Sequence, residues 1–229
     1  MNSDPKKFKA PFIRREEAWR MADQTREKYW PSGELPVEVE ILLWPLGLKL
    51  VPHPSLKEAG DVDALLLGDL KTIIVDSQDY NNDKMQNRIR FSIGHELGHY
   101  ILHRDVFKGI TYTTINEWIK FKHKIPNDQY AYVEQQAYEF AGRLLVPHER
   151  LEKEFQQLIQ KAKNAKFFDW DKTGDSALGY IATPISRVFG VSFRCHRKAS
   201  YPRRLLADKE MKGMGKSDNS RLGANDSPL

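Results

Sequence analysis

"RFSIGHELGHYILH", residues 90–103, carries two histidines four residues apart, with a glutamate directly after the first. On an α-helix each residue turns by about 100°, so positions i and i+4 share a face, with Cβ atoms about 5–6 Å apart. His95 and His99 therefore point the same way. That spacing lets two imidazoles converge on one ion at the zinc–nitrogen distance of about 2.0–2.1 Å. Glu96 is turned off that line, beside the site rather than in a coordination position.

The rest of the helix sorts into three arcs. Ser92, His95, Glu96, His99 and His103 fall in one, and Ile89, Ile93, Leu97, Tyr100 and Ile101 in another. Gly94 and Gly98 leave the third bare. Glycine inside a helix costs about 1 kcal/mol against alanine, so two glycines one turn apart predict close approach by another element. A helix apolar or bare around most of its circumference is internal, and so is its polar stripe. Buried imidazoles and carboxylates need partners, and a metal ion would be one. The plainer alternative is a packed helix whose histidines are satisfied by neighbours; three imidazoles and a carboxylate on one stripe argue against it. His103 lies eight residues beyond His95, about 12 Å along the axis, too far for one ion to reach both. It is expected to be structural or to support a ligand.

A catalytic zinc site commonly has three protein ligands and an open position. In "YAYVEQQAYEFAGRLLVP", residues 130–147, Glu134 sits in the middle of an apolar face with Ala137, Tyr138, Ala141 and Leu145. Gln135, Gln136, Glu139, Gly142 and Arg143 occupy the opposite arc, which reads as wet. A carboxylate aimed into a core needs a cation. Periodicity thus selects Glu134 over Glu139 as the third ligand, the alternative being an ion pair with an Arg or Lys. Ala137 and Ala141 would let a neighbouring helix come close.

Outward from these helices the chain reads as α+β. A helix is expected over 14–30, broken by "PSGELP", then a short helix up to Trp44 and an extended "LKLV". Ala64–Leu67 and Thr72–Val75 flank a Gly68-Asp69 turn and read as a β-hairpin. Asp79 or Asn81 is placed to cap the histidine helix. Residues 104–128 read as loop-rich; a helix over 130–146 stops at Pro147, and "HERLEKEFQQLIQKAKNAK" is another. "SALGYIATPISRVFGVSFRCHRK" reads as two short helices around Gly190, the first interrupted by Pro184. This packing module resembles a helix-turn-helix only faintly. The domain organisation expected is a flexible N-terminus at 1–13, one domain at 14–206 and a disordered tail at 207–229.

The chain has 229 residues, 40% of them hydrophobic, so a core of ordinary size can form. Its one cysteine, Cys195, excludes an internal disulfide and a zinc site built on several cysteines. With no apolar run resembling a signal peptide or a membrane span, a cytoplasmic location is expected. The net charge is +5, with the basic excess late in the chain, and reads as a solvated tail rather than a nucleic-acid surface.

Two stretches resemble the ImmA/IrrE family of metallopeptidases. "RIRFSIGHELGHYILH" is similar to its metal-binding helix, and "EQQAYEFAGRLLVP" to its second helix, typically Glu-x-x-Ala-Asn-x-Phe-Ala-x-x-Leu-Leu-Met-Pro. Weaker likeness extends over about residues 14–195. The resemblance implies a zincin-like fold with a small antiparallel sheet packed on several helices. It implies His95, His99 and Glu134 as ligands of one Zn2+, Glu96 as general base, and a zinc-dependent endopeptidase acting on a protein, often a helix-turn-helix repressor of stress or mobile-element genes. Tyr138 stands where the family usually has Asn or Asp, which puts the orientation of a ligand in doubt. Tyr100, Tyr112 and His103 are candidate oxyanion donors, and the hairpin edge a candidate surface for an extended substrate. The rival expectation is a non-catalytic metal-binding regulator or antitoxin-like partner that keeps the fold.

Overall fold

The computed structural model describes residues 5–110, 112–164 and 175–192. Helix α1 (Arg15–Tyr29) is followed by α2 (Val39–Leu43), strand β1 (Lys49–His53), α3 (Leu56–Gly60), β2 (Ala64–Leu66), β3 (Thr72–Asp76) and α4 (Ser77–Tyr80). Then come the histidine helix α5 (Gln86–Phe107), α6 (Ile115–Lys122), α7 (Asn127–Leu145), α8 (His148–Asn164) and α9 (Asp175–Phe189). The fold is α+β, consistent with the zincin-like expectation.

The strands order as β1-β3-β2. The hairpin is antiparallel as expected, with Leu65 opposite Ile74. The sheet as a whole is mixed, which corrects the expectation of an antiparallel one: β1 runs parallel to β3, from Lys49 opposite Thr72 to His53 opposite Asp76. A parallel pair needs a connection of a dozen or more residues. Residues 54–71, with α3 and β2, supply it.

Strand alternation divides the sheet's side chains between two cores. Leu66, Ile73 and Val75 join the main core of α1, α2, α5, α7 and the tail helices. Leu65 and Ile74 face a smaller one with Phe107, Tyr112, Ile115, Trp118 and Phe121. Helix α5 runs between sheet and helices, and its bare arc meets α7. A methyl group on Gly94 would lie 3.7 Å from Ala141 Cβ, and one on Gly98 3.2 Å from Ala137 Cα. The glycine and alanine pairs are thus the two halves of one close crossing.

Several local expectations are corrected. The caps are Asp76, whose carboxylate accepts from the N–H groups of Gln78 and Asp79, and Asn82, which accepts from Lys84 N–H. They close the short turns ahead of α5, whose own first residue has no side-chain cap. The described part of the 104–128 stretch holds the end of α5, all of α6 and the start of α7, with α6 started by a capping box between Thr114 and Glu117. Pro184 sits inside α9; it forfeits one backbone N–H bond without ending the helix, which stops at Gly190 with φ +57°. Ile185, Phe189 and Val191 are buried in the main core, as a packing module requires. Within the segment expected to be flexible, Phe8 is buried and stacks on Phe107 at 5.6 Å and Gln129 Oε1 accepts from Ala10 N–H at 2.9 Å, while Phe12 is 91% exposed. The expected tail at 207–229 lies outside the described residues. Among those described, no helix is long and apolar enough to cross a membrane.

Of the face of α7 read as wet, Gln136, Glu139 and Gly142 are buried, while Gln135 stays exposed. Glu139 is 3% exposed and Gln136 8%. Helix α1 lies over Glu139 and Arg143, with Trp19 Nε1 donating to Glu139 Oε2 at 2.9 Å and Arg143 pairing with Asp23 at 2.7–2.9 Å, and the segment before α1 lies over Gln136. Two polar faces meet, a case that apolar periodicity along one helix does not register.

Candidate metal centre

His95, His99 and Glu134 each offer a donor atom, all within 4.8 Å of one another. His95 Nε2 lies 3.0 Å from His99 Nε2. Glu134 Oε2 is 3.5 Å from His95 Nε2, and Oε1 is 3.3 Å from His99 Nε2. Bonds of about 2.0–2.1 Å in a tetrahedron hold donors about 3.3 Å apart, so the three atoms fit one small divalent ion. The pairing of Glu134 with an Arg or Lys, the alternative raised by the sequence, gives way to the two imidazoles. Burial opposes ionisation of Glu134, but hydrogen bonds from His95 and His99 hold its carboxyl far below the ordinary range.

Glu96 is buried beside the triad and accepts from Leu66 N–H at 2.7 Å. Burial pushes its carboxyl up to about 7, with His99 and the Leu66 N–H working against that rise and Glu134 adding to it. A carboxyl poised near neutrality can exchange a proton with water in either direction. The Leu66 donor is a backbone group of β2, brought in by the tertiary fold and invisible to side-chain patterning.

His103 belongs to the same chain of contacts without facing the triad's centre. Its Nδ1 lies 3.0 Å from His99 Nδ1, and its Nε2 2.8 Å from Gln136 Oε1. Burial holds it down to about 3, a neutral imidazole. His95 differs: its Nδ1 is buried with no hydrogen-bond partner. The Tyr138 ring packs over that imidazole at 4.3 Å between centroids.

Of the three candidate oxyanion donors, Tyr112 alone lines the cavity described below, and its hydroxyl donates to Leu66 O at 3.0 Å. Tyr100 points elsewhere, its hydroxyl 3.4 Å from Leu46 O. Sequence reasoning overlooked Tyr130, one helical turn before Glu134. Burial and a hydrogen bond to Glu134 raise its phenol well above the ordinary range, so it keeps its proton. The i, i+4 spacing to Glu134 was the available signal.

A cavity of about 440 Å³ opens over these groups. One wall is aromatic, with Phe107, Trp118, Phe121 and Tyr130. Asp63, also in the lining, accepts from Lys57 Nζ at 2.8 Å and Arg88 Nε at 2.7 Å. Residue periodicity fixes how β2 meets this space. Asp63 O accepts from Asp76 N–H and Leu67 N–H donates to Thr72 O, so odd-numbered backbone groups face β3. Ala64 and Leu66 face away from it, and Leu66 is engaged by Glu96 and Tyr112.

Among curated proteins, no match to the chain was found. The family model of the IrrE N-terminal-like domain, peptidase family M78, matches residues 79–197, which span α5, α6, α7, α8 and α9. That match covers half of the chain and contains His95, Glu96, His99 and Glu134; the chain belongs to this family, whose function is of the metallopeptidase type.

Proposed function

We propose that the protein is a zinc-dependent endopeptidase that hydrolyses a peptide bond in a protein substrate. His95, His99 and Glu134 would hold the ion, and Glu96 would act as general base. The observation that carries this reading is the convergence of the three donor atoms within 4.8 Å, beside a buried carboxyl held near 7 and under an open cavity. Two imidazole nitrogens and one carboxylate oxygen suit zinc.

Zinc bound there would supply Lewis acidity, polarising a carbonyl and making water more acidic. The chain's own groups do the rest. Ionised Glu96 takes the proton of the attacking water and later returns it to the leaving amine. Protonated Tyr130 can donate to oxygen charge developing near Glu134. The outward N–H and C=O of Ala64 can align an extended substrate backbone, as sheet edges do for peptides. The aromatic wall suits a large apolar side chain. A partner helix-turn-helix repressor in the cytoplasm is the proposed substrate, on the strength of the family resemblance.

A second reading has its own support. His95 Nδ1 lacks a partner, and Tyr138 packs where the family usually has Asn or Asp. A weakened ligand would suit a metal-binding regulator without catalysis. Incubation with a co-encoded repressor and zinc, followed by intact mass, separates the two. A cut that a chelator abolishes supports the peptidase. A stable complex with no cut supports the regulator.

A further inference from the structure

We propose that Gln136 and the backbone carbonyls of Pro11 and Ile13 set the tautomer of His99, through His103, so that His99 presents a bare Nε2 to the metal centre. Gln136 and His103 are then positioning residues, and the N-terminal arm is part of the site. This inference rests on the reading of His99 as a metal ligand.

The contacts run inward from the arm. Gln136 Nε2 lies 3.0 Å from Pro11 O and 3.3 Å from Ile13 O. Carbonyl oxygens only accept, so the NH2 end of the amide must face the arm. Its Oε1 therefore faces His103 Nε2, at 2.8 Å, and also only accepts. His103 Nε2 must carry hydrogen. His103 is fully buried, and its two ring partners, Gln136 and His99, include no carboxylate. A buried imidazole so placed is neutral and has one N–H. Its Nδ1 is then bare and accepts from His99 Nδ1, 3.0 Å away. When His99 gives up a ring proton to bind an ion, the proton it keeps is on Nδ1, and the one it loses is on Nε2. That atom faces His95 Nε2 and Glu134 Oε1.

The arm is fixed on both sides of these carbonyls. Ala10 N–H donates to Gln129 Oε1 and Phe8 stacks on Phe107, while Ile13 packs on the main core. Metal-binding histidines generally donate their other N–H to an orienting acceptor, and loss of that acceptor weakens metal binding about 10–100-fold. His99 has one, and His95 has none.

The test uses the full chain. Nitrogen-15 NMR of the imidazoles in metal-free protein, at a pH where both rings are neutral, reads the tautomers directly. Protons on His99 Nδ1 and His103 Nε2 are expected; the reverse assignment on either ring overturns the relay. Zinc is then titrated against a chromophoric chelator. Gln136→Met, which fills the same space without an acceptor, is expected to bind zinc about 10–100-fold more weakly and to show mixed His103 tautomers. Wild-type affinity with an unchanged imidazole spectrum in that variant overturns the proposal. If the variant does not fold, the wild-type spectrum still decides. Wild-type protein that binds no zinc but shows the expected tautomers would reject the metal reading and leave the relay standing.

Discussion

A methyl group on Gly98 would stand 3.2 Å from both Cα and O of Ala137 and 3.2 Å from Phe140 Cδ1. Two of those three atoms are backbone or fixed to it, so the added group moves a helix rather than a flexible tip. The crossing of α5 and α7 that holds His99 against Glu134 is set by this pair.

Gly98→Ala is expected to lower stability by about 1–3 kcal/mol through overpacking, despite alanine's better helix propensity. Gly94→Ala is expected to do the opposite. Its added methyl meets atoms at 3.5–3.8 Å, ordinary contacts, and gains up to about 1 kcal/mol of propensity. Urea denaturation of the two variants reads the contrast, and equal effects in both would contradict the geometry.

Metal and base should separate by mutation. Wild type is expected to retain about one zinc per chain and His99→Ala to lose it, measured by atomic emission after gel filtration. Glu96→Gln is expected to keep zinc and to lose about 10²–10⁴-fold in cleavage rate. Undiminished cleavage by Glu96→Gln would remove the glutamate from the mechanism.

Tyr138→Asn offers His95 Nδ1 the hydrogen-bond acceptor it lacks. Zinc affinity is expected to rise by about tenfold, given what such partners contribute elsewhere. Weaker binding would mean that ring packing by Tyr138, at 4.3 Å, orients His95 better than an amide can.

Asp76 gives a pH dependence remote from the metal. Burial raises its carboxyl, but the N–H groups of Lys57, Asp79 and Gln78 outweigh that and hold it below the ordinary value. A carboxyl lowered in the fold binds fewer protons there than in the unfolded chain. Its stabilisation is therefore complete above the unfolded value of 3.8 and is lost as pH falls through that range. Asp76→Asn keeps one oxygen for the Gln78 and Asp79 N–H groups but turns an NH2 toward Lys57 N–H, and should cost about 0.5–1.5 kcal/mol at pH 7 for that lost bond. It should also reduce the slope of stability below about pH 4. An unchanged slope in acid would show that other carboxylates govern it.

The triad was legible because its residues are encoded by helical period. His95 and His99 are one turn apart, and Glu134 stands among alanines on an apolar stripe. The close crossing was legible for the same reason, through Gly94, Gly98, Ala137 and Ala141. These are local facts: a turn of about 100° per residue places side chains on a face whatever surrounds the helix.

What required the folded chain were relations between segments far apart in sequence. Glu139 and Gln136 look solvated on their own helix, yet α1 and the N-terminal arm bury them, 120 and 125 residues away. The Leu66 N–H on Glu96 comes from a strand 30 residues earlier, and a backbone donor has no residue code to read. The direction of β1 depended on a crossover. Periodicity says which side of an element is apolar; only packing decides which polar sides also meet, because a hydrogen bond satisfied by a distant partner leaves no pattern along its own helix.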